Sequence, residues 1–258
     1  MLLNKKTHGQ PQGSVYIGRM SGDRQYFGNP FTHKVGTKAS VVVSSREEAV
    51  RAFREWLLGN EYEWVEREQR RWIITHLHLL RKKDLVCWCA PEPCHGEVLL
   101  KYAHGSVIRH FAGDFLFLDN KYLHGFEITA KGQEFRFLSV ESAMQALQFE
   151  DLDIWRKIEK MHGHDAAAFG WESRHLVRKD WDTVKLRAMD WCLRKKFADP
   201  SLRKKLAGTR EYLIVYHGHD SFWGENWGPG PNNQPGRNEL GFLLMDIRRE
   251  CYEVGNEA

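Results

Sequence analysis

The chain has 258 residues, 42% of them hydrophobic and 28% charged, with a net charge of +4 at pH 7. That is the composition of a globular protein, long enough for one large domain or two small ones that each build a core. No apolar run approaches the roughly 18 residues of a membrane span, and no apolar stretch follows Lys5-Lys6, so a soluble, cytoplasmic protein is expected, its modest positive charge suited to an anionic ligand such as a nucleotide.

The first predicted element is a strand, Val15-Tyr-Ile-Gly-Arg19, which runs through a glycine-containing loop to Gly28-Asn-Pro-Phe31. A second buried strand is expected at Val41-Val-Val-Ser44. Ser45, with Glu48 three positions on, makes a capping box that opens a helix through Leu58. Tyr62 to Leu80 reads as a long helix with charged faces. Asp84 to Cys89 reads as a third strand, closed by Pro91 and Pro93, and a further helix starts near Cys94. This alternation predicts a small α/β, Rossmann-like domain over 1–104 with a mainly parallel sheet.

From residue 105 to 258 the pattern predicts a mostly helical α+β domain. Short strands are expected at Phe115 to Leu118, Phe126 to Thr129 and Tyr212 to Tyr216, among helices over 139–149, 152–161, 164–170, 181–197, 201–207 and 238–252. Between the last strand and the last helix, His217 to Arg237 holds five glycines, three prolines and three asparagines. An irregular stretch of that length inside a compact domain is usually functional, and it is expected to form the rim or lid of a pocket.

Three features of this half bear on chemistry. Ser139 can cap a helix with Val140, Ala143, Met144 and Leu147 on its apolar face, so that Glu141 projects from the first turn. The partial positive charge there favours a carboxylate, and the plain role of Glu141 is to satisfy backbone N–H groups. Asp220 precedes Ser221-Phe222-Trp223-Gly224, placing an acid and two aromatic rings on one turn; the rings can stack on a base or simply fill a core. Asn120 and Asn238 read as ligand-binding amides, and Asn238 is equally a natural helix N-cap. Trp181 reads as a core residue of a helix whose Lys185, Arg187, Arg194, Lys195 and Lys196 form a solvated face.

Phe117-Leu-Asp-Asn120, Ser139-Val-Glu-Ser-Ala-Met-Gln145, Trp181 with Met189 and Lys196-Phe197, Asp220 to Gly224, and Asn238 to Met245 occur in the order found in NADAR (YbiA-like) domains. The chain resembles that family over 110–252. Its members are N-glycosidases that cleave phosphoribosylated intermediates of the riboflavin pathway or remove ADP-ribose from guanine. The resemblance implies catalytic roles for Glu141 and Asp220 and ligand-binding roles for Asn120, Gln145, Trp181, Phe222, Trp223 and Asn238. Hydrolysis of a ribosyl–nitrogen bond passes through an oxocarbenium-like state, which a carboxylate can stabilise while an acid assists the departing nitrogen. No metal and no organic cofactor is implied. The chain departs from the family pattern at Gln148, where a lysine is common, at Gly170-Trp171, where Gly-Arg is usual, and near Tyr216, where a glutamate is common.

In the first half, Val15 to Arg19, Gly28 to Phe31 and Leu85-Val-Cys-Trp-Cys-Ala-Pro-Glu-Pro-Cys-His-Gly96 resemble a small domain of unknown function. Five cysteines, three of them within Cys87 to Cys94, do not make a secreted disulfide framework. Cys87, Cys89, Cys94 and His95 form a candidate second site with three readings. They can be zinc ligands, although the spacing is not the Cys-x-x-Cys of a zinc knuckle and no stoichiometric zinc is expected. Cys94 can be a reactive thiolate, its pKa lowered at a helix N-terminus. Or they can be small buried residues and a cap. By fold analogy, a nucleotide or phosphate can sit at the ends of these strands.

The sequence therefore predicts an enzyme that removes ADP-ribose from guanine, free or in nucleic acid, or cleaves a related phosphoribosyl-amine. The alternatives are a non-catalytic sensor of NAD or ADP-ribose, and an enzyme whose site is Cys94-His95 with the second half as its recognition domain.

Overall fold

The structure is a computed structural model that describes residues 1–19, 26–218, 220–225 and 235–253. In chain order the first elements are β1 (Leu2–Asn4), α1 (Lys5–His8), β2 (Val15–Tyr16), β3 (Phe31–Thr32), β4 (Val41–Val42), α2 (Arg46–Leu58) and α3 (Arg67–His76). A 3-10 turn (Leu77–Leu80) leads to β5 (Leu85–Cys87), α4 (His95–His104) and β6 (Val107–Ile108). After a 3-10 helix (Gly113–Leu118) come β7 (Phe126–Ala130), β8 (Gln133–Phe137), α5 (Val140–Leu147), α6 (Leu152–Ile158) and α7 (Gly163–Glu172). A 3-10 turn (Arg174–Leu176), α8 (Trp181–Lys196), α9 (Pro200–Ala207), β9 (Leu213–Ile214) and α10 (Glu239–Glu253) complete a mixed α+β chain. Contacts divide it into two compact units, Met1–Arg109 with Thr209–Arg249, and His110–Gly208 with Glu250–Ala258.

In the first unit β5 lies between β1 and β2, parallel to both, with Leu85 opposite Leu2 and Val15. All three residues of β5 are buried, as a strand covered on both faces must be. Ser45 caps α2, its hydroxyl accepting from Glu48 N at 3.1 Å, but the Glu48 carboxylate pairs with Arg51 instead of closing the expected capping box; Gly59 ends the helix at a φ of 76°. The charged stretch after Tyr62 is shorter as a helix than expected. Tyr62 and Glu66 hold φ of 58° and 36°, so α3 starts only at Arg67, and its last turn tightens to 3-10.

Residues 209–249 are bound into this unit by charge as well as by packing. Pairing of β9 with β6 is parallel. The fully buried Arg248 donates to the carbonyls of Thr209, Tyr212 and Leu58 at 2.7, 2.8 and 2.6 Å. The Arg71 guanidinium sits 4.2 Å from the centre of the Phe242 ring. Asn238 enters α10 at a φ of 53°, its amide donating to Ile214 O and accepting from Tyr216 N. A Cβ on Gly241 would meet Ile214 O at 2.3 Å, so only glycine lets α10 approach β9 this closely.

In the second unit β7 and β8 form a hairpin closed by Lys131-Gly132, both at positive φ (48° and 77°), the turn that matches strand twist. Phe126, Ile128, Phe135 and Phe137 point inward from it, and Trp155 of α6 packs edge-on to Phe135 and Phe137. The α5 helix packs against α6, α7 and α8. Phe115 to Leu118, expected as a strand, belongs to a 3-10 helix. Phe117 and Leu118 are both buried, and neighbours on a strand point to opposite faces. No helix among the described residues is long and apolar enough to cross a membrane.

Candidate functional site

In the second unit Glu141 stands in the first turn of α5, where Ser139 and Ser142 cap each other reciprocally: Ser142 N donates to Ser139 Oγ at 3.2 Å and Ser139 N to Ser142 Oγ at 3.1 Å. The α5 end is thus satisfied without Glu141, whose carboxylate is free for another role. Glu141 Oε1 accepts from Gln145 Nε2 at 2.8 Å, and Gln145 Oε1 in turn accepts from Gln148 Nε2 at 2.5 Å. Gln148, where a lysine is common in the family, therefore orients the amide that orients the acid. Burial pushes the Glu141 carboxyl above the usual carboxylate range, against the opposing pulls of Gln145 and Lys121.

Asn120 joins this cluster through its backbone, its carbonyl accepting from Glu141 N at 2.8 Å. The Asn120 Nδ2 lies 3.6 Å from Met189 Sδ, and its Oδ1 is buried without a hydrogen-bond partner among the described residues. A buried acceptor left open is costly unless something donates to it. Gly163, the first residue of α7, is tight against the same cluster: a Cβ there would meet Lys121 Cγ at 2.8 Å and Glu141 Cβ at 3.1 Å. Beside it lies a cavity of about 340 Å³ lined by Asp119, Lys121, Tyr122, His162 and His164, among others. Lys121 Nζ is 3.3 Å from His164 Nδ1.

Lys196 is the residue that sequence reasoning missed here. Its spacing along α8 assigns it to a solvated face, yet it is fully buried, its ammonium donating to Asp119 O at 2.7 Å. Burial lowers its pKa to about 7. The signal was its place beside Phe197 within the family pattern. Trp181 is half-buried and lines a separate cavity of about 450 Å³ with Arg178, Arg187 and Trp191, rather than filling the core. Trp171, in place of an arginine, is exposed, and Arg174 lies over its ring at 4.8 Å.

In the first unit Asp220 is exposed and shapes its own turn, with Oδ1 accepting from Phe222 N at 2.7 Å and Trp223 N at 3.1 Å. Phe222 and Trp223 are half-buried and perpendicular, their ring centres 4.7 Å apart, with Arg237 over Phe222. Asn238 is fully buried, and both ends of its amide are spent on the Ile214 and Tyr216 backbone. Its observed work is to join α10 to β9. Glu225 is buried, paired with Arg109, and 3.5 Å from His217 Nδ1; nothing in the sequence singles it out. Of the expected lid over 217–237, residues 219 and 226–234 lie outside the described residues.

The first unit also gathers Cys87, Cys89 and Cys94. Cys94 caps α4, its sulfur accepting from Gly96 N at 3.4 Å. The neighbouring thiols of Cys87 and Cys89, together with burial, push the Cys94 pKa up and outweigh its backbone hydrogen bond. His95 is buried with Nε2 2.9 Å from Ile17 O, and burial lowers its pKa.

Comparison with known proteins divides the chain once, near residue 110, so that residues 209–249 fall in the second match although their contacts lie in the first unit. Residues 2–105 match a domain of unknown function (DUF4326), and residues 111–251 match the NADAR domain. N-glycosidase Npun_R5314 of Nostoc punctiforme is 34% identical over 51% of this chain and 82% of its own length. N-glycosidase YbiA of Escherichia coli (strain K12) is 34% identical over 43% of this chain and 68% of its own. Riboflavin biosynthesis protein VVA0006 of Vibrio vulnificus is 35% identical over 45% of this chain, which spans only 31% of that relative.

Proposed function

The chain belongs to the NADAR family, and we propose that it is an N-glycosidase that hydrolyses a ribosyl–nitrogen bond. The observation that carries this reading is Glu141. Its helix end is capped by other groups, it is held by Gln145, and burial raises its pKa. A carboxylate that is oriented and partly desolvated, with no structural task of its own, is suited to chemistry. In the reaction it faces the positive charge that develops at the anomeric carbon or takes a proton from the attacking water. The ammonium and imidazoles at the neighbouring cavity suit an anionic, phosphate-bearing substrate.

The substrate class we propose is a nucleotide-type ribosyl-amine, either ADP-ribosylated guanine, free or in nucleic acid, or a phosphoribosyl-amine related to riboflavin precursors. Two named N-glycosidases and a riboflavin biosynthesis protein among the relatives support that class. We further propose that the reaction takes place in the cytoplasm. Asp220 takes a subordinate part, because its carboxylate already holds the Phe222–Trp223 turn. Purified protein is to be incubated with ADP-ribosylated guanosine and, separately, with a phosphoribosyl-amine pyrimidine, and the products resolved by mass. Release of ADP-ribose and guanosine from the first, or of ribose 5-phosphate and the free aminopyrimidine from the second, is expected. Folded protein that leaves both intact overturns the reading.

A further inference from the structure

The three sulfurs of the first unit have no part in the N-glycosidase reading. Cys87 closes β5, Cys89 lies two residues on, and Cys94 caps α4. Their Sγ atoms all lie within 4.8 Å of one another, and those of Cys87 and Cys89 are 3.8 Å apart. Thiolates bound tetrahedrally to zinc at about 2.3 Å stand about 3.8 Å from each other. The trio therefore has the dimensions of three corners of a zinc site before any ion is added. The fold holds it so: Asn4 Nδ2 donates to Trp88 O and Ala90 O on either side of Cys89. The ring of His95 is fixed beside Cys94, with Nδ1 3.6 Å from Cys94 Sγ, but it lies outside the trio.

The fourth corner is decided by the surroundings. All three cysteines line one cavity of about 370 Å³, together with Arg19, Lys34, Lys38 and Arg46, and among the described residues no carboxylate lines it. Zinc with three thiolates carries a net charge of −1, which those cations and the N-terminus of α4 offset. Three protein ligands plus an open position is the pattern of zinc sites that bind a further ligand, whereas closed structural sites supply four.

We propose that Cys87, Cys89 and Cys94 bind one zinc ion whose fourth position opens into this cation-lined cavity and accepts an anionic, phosphate-type oxygen ligand. Binding releases the thiol protons to solvent and leaves every sulfur oxidation state unchanged. The test begins with elemental analysis of the full chain purified without chelator. About one zinc per chain is expected, falling to near zero in the Cys87→Ser/Cys89→Ser/Cys94→Ser variant. Wild-type protein stripped by chelator and reloaded with cobalt supplies a second measurement that does not depend on the variant folding. Thiolate-to-cobalt charge-transfer absorption is expected, with visible bands that shift when inorganic phosphate is added. The proposal falls if stripped protein takes up neither ion, if zinc persists in the triple variant, or if Cys87 and Cys89 are isolated as a disulfide. Visible bands that phosphate leaves unmoved overturn the open position. None of these readouts uses N-glycosidase activity, so either proposal can fail alone.

Discussion

Two titrating side chains in the second unit make opposite predictions. Glu141 has its pKa raised by burial, so the acid limb of a rate profile that needs the carboxylate lies above the ordinary carboxylate range. The sign for stability follows: the folded state holds this proton more tightly than the unfolded chain does. Its contribution is complete below the unfolded pKa and is lost as pH rises through the folded one. Glu141→Gln should lower turnover by about 100-fold or more, the usual scale of acid–base catalysis, while substrate binding persists. Thermal stability near neutrality should be unchanged or slightly higher, since a desolvated charge has gone. A variant with wild-type turnover would reduce Glu141 to a passive helix-start residue. Asp220→Asn should cost less activity, because an amide oxygen can still accept from Phe222 N and Trp223 N. Lys196 runs the other way. Its pKa falls from 10.5 to about 7, so the unfolded chain binds more protons between those values and stability rises with pH across that window. The rise approaches about 1.4 kcal/mol per pH unit for one proton. It should be absent in Lys196→Met, as urea melts from pH 7 to 10 would record.

At the scale of the element, the N-terminus of α5 links stability to the site. Ser139 and Ser142 satisfy each other's N–H groups and the Asn120 carbonyl takes that of Glu141, which leaves the Glu141 carboxylate out of the capping. Ser139→Ala removes the cap and should cost about 1 kcal/mol of unfolding free energy. It should also lower turnover, because the orphaned N–H groups then compete for the Glu141 carboxylate. Loss of stability with turnover intact in the folded fraction would uncouple the two. The sequence made this cap legible, as it did Ser45 on α2, because capping depends on residues three apart. It did not reveal β1 or β8, whose strands are defined by partners far along the chain or across a turn.

For the whole molecule, the contact division has consequences for fragments. Residues 209–249 supply β9 to β6, Arg248 to the carbonyl of Leu58, and Phe242 to Arg71. A fragment ending at Arg109 keeps the β1–β5–β2 sheet but exposes the surface those residues cover, and leaves the Leu58 carbonyl without its donor. It should melt well below the full chain and bind a hydrophobic dye. Equal melting temperatures would show that 209–249 add nothing to the unit they contact.

The sequence by itself determined the caps of α2 and α5, most helices and, through five ordered blocks, the family, because each of these depends on residues close together or in a fixed order. It also marked Glu141, whose neighbours Gln145 and Gln148 lie within two turns of one helix. Only the tertiary structure decided that Lys196 is buried while its charged neighbours on α8 are not, and that the Asn238 amide is spent on β9. It alone drew three sulfurs with no zinc-knuckle spacing to within 4.8 Å of one another. Periodicity reports which face of an element a side chain occupies. Desolvation, hydrogen-bond partners and sulfur–sulfur distances depend on what packs against that face, and those groups come from elsewhere in the chain.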